Sequence, residues 1–177
     1  MIEVEQFKTN EATQVFLNDL KQLTSKAFGN RFSDDDWEHG LGGTHIAVRK
    51  SGILVSHAAV VPRHLYVGEK VYLCGYVENV ATSPDWQHRG LASLAMRRAN
   101  TVITRHYEVG ALSSSSKDLY RKLGWEDWRG PSYVIAKNEW SRSESEDEGV
   151  MVLKIDANSD LDLSFRIACE ERSGDSW

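Results

Sequence analysis

The sequence predicts an α/β fold: a mixed, mostly antiparallel central sheet flanked by helices. Three observations carry that expectation. Short apolar segments of strand type recur between glycine-containing turns. Two longer segments repeat their apolar residues at helical spacing. Tyr76 to Arg105 reads as strand, turn and helix in immediate succession, the start of a parallel βαβ crossover. With 177 residues the chain is most simply one domain, residues 1–177, large enough for a sizeable core.

In order, residues 2–8 alternate as a strand through Ile2, Val4 and Phe7. Glu11 to Phe28 then suits a helix with Asn10 as its N-cap and Phe16, Leu17, Leu20, Leu23 and Phe28 along its apolar side. Ser33 to His39 places a cap residue and three aspartates in the first turn of a short helix that ends at Gly40. That acid cluster either compensates the helix dipole or forms part of a cation-binding rim. Strands are expected at His45–Arg49 and Ile53–Arg63 around a Ser51-Gly52 turn, and again at His64–Val67 and Val71–Thr82 around Gly68-Glu69. After Ser83-Pro84-Asp85 comes a helix from Leu91 to Arg105, with Leu91, Leu94, Ala95, Ala99, Val102 and Ile103 on one face. A strand at Tyr107–Leu112 and a short helix carrying Tyr120 follow, closed by Gly124. An aromatic loop with Trp125 and Trp128 leads to a strand at Ser132–Ala136. Ser141 to Gly149 reads as a charged loop, and Met151–Ile155 and Leu161–Ala168 as strands.

Charge and composition exclude several classes. There are 21 basic and 26 acidic residues. Up to Ala136 the signs nearly balance, 16 against 15, whereas Lys137 to Trp177 holds 5 against 11. An acidic last segment disfavours nucleic acid and suits a cationic partner. The start lacks a basic n-region with an apolar h-region, and the apolar run from Ile53 to Pro62 is interrupted by Ser56 and His57. No secretory signal, no membrane span and a cytoplasmic location are therefore expected. Cys74 and Cys169 lie too far apart for a metal or redox motif and read as core residues, so no metal is expected.

Chemistry concentrates in Gln87-His88-Arg89-Gly90-Leu91-Ala92, between the apolar strand and the amphipathic helix. Glycine at the junction lets backbone amides approach a ligand, unpaired N–H groups at a helix start favour an anion, and arginine adds a forked phosphate donor. The stretch is suited to a pyrophosphate. It resembles the Q/R-x-x-G-x-G/A signature of the GNAT acetyltransferases, with Ala92 in the last place. The resemblance implies a GNAT fold and an acetyl-CoA site formed by Gln87, His88, Arg89, Gly90, Leu91, Ala92 and Ser93, with Val80, Ala81 and Thr82 beside the pantetheine.

Further blocks resemble one GNAT family, the aminoglycoside 2'-N-acetyltransferases: D-W-E-H-G-L-G-G-T-H from Asp36, S-H-A-A-V-V from Ser56, C-G-Y-V-E-N-V-A from Cys74, G-A-L-S-S-S from Gly110, L-Y-R-K-L-G-W from Leu119, and R-S-G-D-S-W ending at Trp177. Acetyl transfer from a thioester to an amine needs a neutral amine and a proton for the leaving thiolate. Glu78 stands on the strand beside the glycine loop, and the family's matching Glu is a general base; pairing with substrate ammonium is the alternative role. Tyr120 matches a tyrosine that protonates the departing sulfur; packing beside Leu119 and Trp125 is its alternative. The resemblance also puts Asp36, Glu78, Asn79, Ser113, Asp147, Asp175 and the Trp177 carboxylate at the aminoglycoside, with the tail folded back over it, and implies a homodimer.

One position departs from the family. Before Phe32, where members that bind 2-deoxystreptamine drugs carry an aspartate, this chain has Arg31. A cation there should repel a polyamine and favour an aminoglycoside with its own carboxylate, such as kasugamycin, unless Arg31 is only an exposed loop residue. Two other readings stand beside the antibiotic-acetylating one: a GNAT acting on a metabolic amine or amino sugar, and a non-catalytic CoA- or drug-binding protein.

Overall fold

In the computed structural model, which describes Met1–Trp177, the alternating segments become ten strands and the helical ones four helices. The chain divides into two units, Met1–Val61 with Val77–Val102 and Pro62–Tyr76 with Ile103–Trp177. The sheet is mixed and mostly antiparallel, with helices flanking it.

In the first unit β1 (Ile2–Lys8) lies antiparallel to β2 (Thr44–Lys50), from Ile2↔Lys50 to Lys8↔Thr44. β2 also pairs antiparallel with the start of β3 (Ile53–Val67), and the register slips between Val48 and Arg49. Helix α1 (Gln14–Phe28) presents Leu20 to a cluster with Trp37 and Ala47, rimmed by Phe7, Phe16, Leu17, Phe32, Leu41 and Leu54. The helix starts later than its sequence suggests. Residues Thr9–Glu11 form a 3-10 turn whose Glu11 carboxylate accepts from Lys8 N at 2.7 Å, so the N-cap is Thr13, not Asn10. Helix α2 (Asp34–His39) has the Ser33–Asp36 capping box and ends at Gly40. Helix α3 (Leu91–His106) buries Leu91, Ala95, Met96, Ala99, Val102 and Ile103, as its spacing requires.

In the second unit the first half of β4 (Lys70–Thr82) runs parallel to β5 (Val109–Ser113), from Cys74↔Val109 to Tyr76↔Ala111. The intervening α3 makes this the expected crossover. Helix α4 (Asp118–Arg121) follows, then β6 (Glu126–Asp127). β9 (Val150–Lys154) is antiparallel to both β5 and β6. β7 (Ser132–Ala136) and β8 (Glu139–Arg142) form a hairpin through Lys137 and Asn138, whose φ values of +49° and +66° suit a two-residue primed turn. β10 (Ile167–Glu170) lies antiparallel to the far half of β3 and parallel to β7, a second parallel pair.

Three further sequence expectations change. No break occurs at Arg63, because β3 runs unbroken to Val67. β8 takes the first residues of the segment read as a charged loop, whose Glu144–Glu146 become a 3-10 turn. Leu161 and Leu163 are buried from a turn rather than a strand. Asp162 Oδ1 takes the backbone N–H and hydroxyl of Ser164 at 2.9 and 2.7 Å, and β10 begins only at Ile167. Both cysteines are free and buried, as expected. No helix is long and apolar enough to cross a membrane.

Candidate active site

The first unit holds the expected cofactor loop. Beyond Thr82, residues Pro84–Trp86 form a 3-10 turn, and Gln87 donates its side-chain amide to Thr82 O at 3.3 Å, tying loop to strand. His88 and Gly90 sit at φ +59° and +76°. These left-handed positions turn the chain into α3, where Leu94 N reaches back to Gly90 O at 3.2 Å. Helix geometry leaves the first amides of α3, at Leu91, Ala92 and Ser93, without carbonyl partners in the helix. A Cβ on Gly90 would meet nothing within 4 Å, so the space over the helix start is open. Arg89 lies 4.9 Å from the Trp86 ring centre and donates to Asp85 O at 3.2 Å. Lys50 approaches the same ring at 5.0 Å. Two cations near a helix start give this loop the chemistry that an anion site requires.

Strand β3 braces β4 just before the loop. Ser56 Oγ donates to Ala81 O at 2.8 Å and lies 2.8 Å from Thr82 Oγ1, and Ser83 N donates to Val55 O at 2.9 Å. Ala81 is buried; Val80 and Thr82 are half-buried. Glu78 is half-buried with its Oε1 shielded from solvent. Asn79 follows at φ +53°, a kink inside the strand. Its side chain turns inward, donating to Trp37 O at 3.5 Å over Gly40, where a Cβ would stand 2.2 Å from Asn79 Nδ2. Asn79, expected at the substrate, is thus engaged by α2. Asp36 Oδ2 takes Ser33 N and Ser33 Oγ at 2.7 and 2.8 Å, closing the capping box of α2. Arg31 is exposed on a 3-10 turn, Gly29–Arg31.

The second unit holds the other expected residues. Tyr120 on α4 is 8% exposed and stands edge-on to Trp125 at 6.2 Å. Burial pushes its hydroxyl up to about 12, partly offset by a hydrogen bond with Ser114, so the phenol keeps its proton at neutral pH. Ser113 Oγ donates to Glu146 Oε2 at 2.8 Å. Asp147 is engaged internally. Its Oδ1 accepts from Ser132 N, Ser132 Oγ and Arg142 at 2.8, 2.7 and 2.8 Å, and its Oδ2 pairs with the same guanidinium. The Arg142 guanidinium, with help from Ser132, holds this carboxyl well below the usual range. Asp147, expected at the substrate, fastens β7 to β8 through these bonds.

The chain's last residues are folded back and pinned. Trp177 is 5% exposed, and its indole N–H donates to Ser143 Oγ at 3.1 Å. Asp175 Oδ1 accepts from Trp177 N at 3.1 Å. Arg63 donates to Ser176 O and Glu170 O at 2.7 and 2.8 Å, while Arg172 donates to Asp175 O and Trp177 O at 2.9 and 3.3 Å. Both guanidiniums lie over the Tyr76 ring, at 4.8 and 5.6 Å. Sequence reasoning missed Arg63, Arg142, Ser56 and His57, because side chains that serve distant carbonyls leave no local spacing. Only the unusual Ser56-His57 pair inside an apolar run marked two of them.

Residues 8–127 match the family described as acetyltransferase (GNAT) domain. Over 173 residues the chain is 38% identical to the aminoglycoside 2'-N-acetyltransferase of Mycolicibacterium fortuitum, covering 96% of this chain and 89% of that protein. A GNAT-family N-acetyltransferase of Escherichia coli crystallised with CoA superposes with a TM-score of 0.68 at 14% identity, over 98% of this chain and 93% of that one. A GNAT-family acetyltransferase of Brucella melitensis crystallised with acetyl-CoA gives 0.55 at 16%, over 70% and 83%. At such identities the two structures speak to the fold.

Proposed function

The chain belongs to the GNAT acetyltransferases, and on that premise we propose that it transfers the acetyl group of acetyl-CoA to the 2'-amine of an aminoglycoside antibiotic. The observation that carries the acetyl-CoA half is the open, cationic start of α3 at Arg89–Ser93, whose chemistry fits a pyrophosphate. The aminoglycoside half rests on the 38% identity to a protein of that activity.

Bound acetyl-CoA supplies an activated thioester and a thiolate leaving group. Glu78 takes a proton from the substrate ammonium, directly or through water, leaving a lone pair free to attack. Tyr120, kept protonated by burial, holds the proton for the sulfur. Among the acidic candidates, Asp36 has its Oδ2 spent on the helix cap, while Asp175 and the Trp177 carboxylate belong to a tail fixed by Arg63 and Arg172. These are the groups proposed for the substrate's ammonium ions, with Ser113 as a neutral neighbour. The preference for a substrate bearing a carboxylate, such as kasugamycin with its 2'-amine and carboxyl group, rests on the resemblance that places Arg31 at the substrate; its exposure on a 3-10 turn is the arrangement named above for a plain loop residue.

The reading takes the chain as one GNAT domain acting as a homodimer in the cytoplasm, where acetylation would confer resistance. Light scattering then gives twice the 20.0 kDa of one chain. The decisive experiment incubates the protein with acetyl-CoA and a panel holding kasugamycin, tobramycin, gentamicin and simple amino sugars, then reads mass increments. Acetylated aminoglycoside supports the reading. Turnover of amino sugars alone favours a metabolic GNAT, and tight binding without turnover a sequestering protein.

A further inference from the structure

Two histidines are buried in the first unit, and the proposed acetyl transfer uses neither. His45 on β2 and His57 on β3 are both 0% exposed, with ring centres 5.3 Å apart. Four hydrogen bonds join them into one line. His57 Nδ1 lies 3.1 Å from Asn79 O, His57 Nε2 lies 3.0 Å from His45 Nδ1, and His45 Nε2 lies 2.8 Å from Thr9 Oγ1. Gly42 N donates to Thr9 Oγ1 at 2.9 Å.

The line has one direction. A carbonyl oxygen only accepts, so the proton between His57 and Asn79 sits on His57 Nδ1. His57 Nε2 must then accept from His45 Nδ1–H, and His45 Nε2 from the Thr9 hydroxyl. Both rings are neutral and both carry Nδ1–H. Burial supports this by pushing His45 down to about 4 and His57 to about 3.

The line ends on a backbone atom that matters. Asn79 at φ +53° is a left-handed asparagine inside a strand, a conformation that persists only where its surroundings impose it. Its side chain is held by Trp37 O over Gly40 and its carbonyl by His57. The residue before the kink is Glu78. We propose that His57, oriented by His45 and Thr9, is a positioning residue that fixes the Asn79 kink and thereby aims Glu78 for proton removal. This rests on the role of Glu78 given above.

The test has a measurement free of that role. Long-range proton–nitrogen NMR of the unmodified protein at pH 7 reads each ring's tautomer. Nδ1–H on both is expected, and Nε2–H on His57 would overturn the proposal whatever Glu78 does. Kinetics then ask what the hydrogen bond achieves. His57→Phe fills the space without a donor and should lower kcat about 10- to 100-fold, with KM for acetyl-CoA within about 2-fold. His57→Asn places an amide N–H near Nδ1 and should recover kcat to within about 3-fold of wild type. A Phe variant as active as wild type, or an Asn variant no better than Phe, overturns the proposal. Because His57 acts through Glu78, adding His57→Phe to Glu78→Gln should cost less than about 2-fold, whereas multiplicative losses would refute the link. If Glu78→Gln alone keeps full kcat, the role of Glu78 fails, and the tautomer result still stands by itself.

Discussion

The histidine pair makes acid sensitivity of folding calculable. Both imidazoles are neutral in the fold, held at about 4 for His45 and about 3 for His57, while in the unfolded chain each titrates near 6.5. A depressed pKa means that the unfolded state takes up protons first. The stability these groups contribute is full above pH 6.5 and is lost as pH falls toward 4 and then 3. At pH 5 each unfolded imidazole is about 97% protonated, which favours unfolding by about 2 kcal/mol per histidine, or about 4 kcal/mol for the pair, relative to pH 7.5. That is a large share of an ordinary domain's 5–15 kcal/mol. For a chain of this size it corresponds to a Tm roughly 10 °C lower at pH 5 than at pH 7.5. Asp127, held at about 2 by Arg121 and Lys117, lies outside the window and loses its contribution only below pH 4. Of the other four histidines, His64, His88 and His106 are exposed and His39 is half-buried at the end of α2; all four are common to wild type and variant and cancel in the comparison below. Urea unfolding at half-unit pH steps from 7.5 to 5, on wild type and His45→Gln/His57→Asn, measures the slope. Below pH 6 wild type should lose about 2.7 kcal/mol per unit more than the double variant. Equal slopes, or a flat wild-type curve, would refute the assignment of two neutral buried rings.

Other outcomes follow from the same geometry. Gly90→Asp would put a carboxylate where the reading places phosphate oxygens, so acetyl-CoA KM should rise strongly in steady-state assays; the side chain meets no atom within 4 Å but is strained at φ +76°, so circular dichroism must show the variant folded. Glu78→Gln and Tyr120→Phe should each lower kcat by about 10²–10⁴ with acetyl-CoA affinity near normal by calorimetry; full kcat in both would remove the acid–base roles. Arg31→Asp should weaken kasugamycin turnover by about one to two decades in kcat/KM and improve tobramycin, and a parallel shift on both drugs would end the specificity role of Arg31. Gly43→Ala drives a Cβ to 2.1 Å from Val60 O and to 2.9 Å from Val61 Cα. It should cost several kcal/mol in urea unfolding, because backbone cannot yield as a side chain can.

β1 to β5, β7 and β9, α2 and α3, the glycine loop and the burial of both cysteines were legible in the sequence, because each follows from near-neighbour chemistry, whereas β6, β8 and the start of β10 were not. Side-chain alternation sets a strand, a four-residue repeat sets a helix face, and a glycine at φ +76° marks the turn into α3. The start of α1 misled because Asn10 and Thr13 are equally good caps, and only the Glu11–Lys8 contact decided between them. Leu161 and Leu163 misled because burial in a turn gives the same alternation as a strand. What tertiary structure alone decided is the use of each polar group. Asp147 is consumed by Ser132 and Arg142, Asn79 by α2, and the terminal tripeptide is gripped by Arg63 from 113 positions away. Likewise His45 and His57 share a tautomer because a carbonyl at Asn79 orders the whole line. A residue's type fixes what it is able to bond. Which partner it meets depends on strand register and kinks that bring distant segments within 3 Å, and no local pattern encodes that distance.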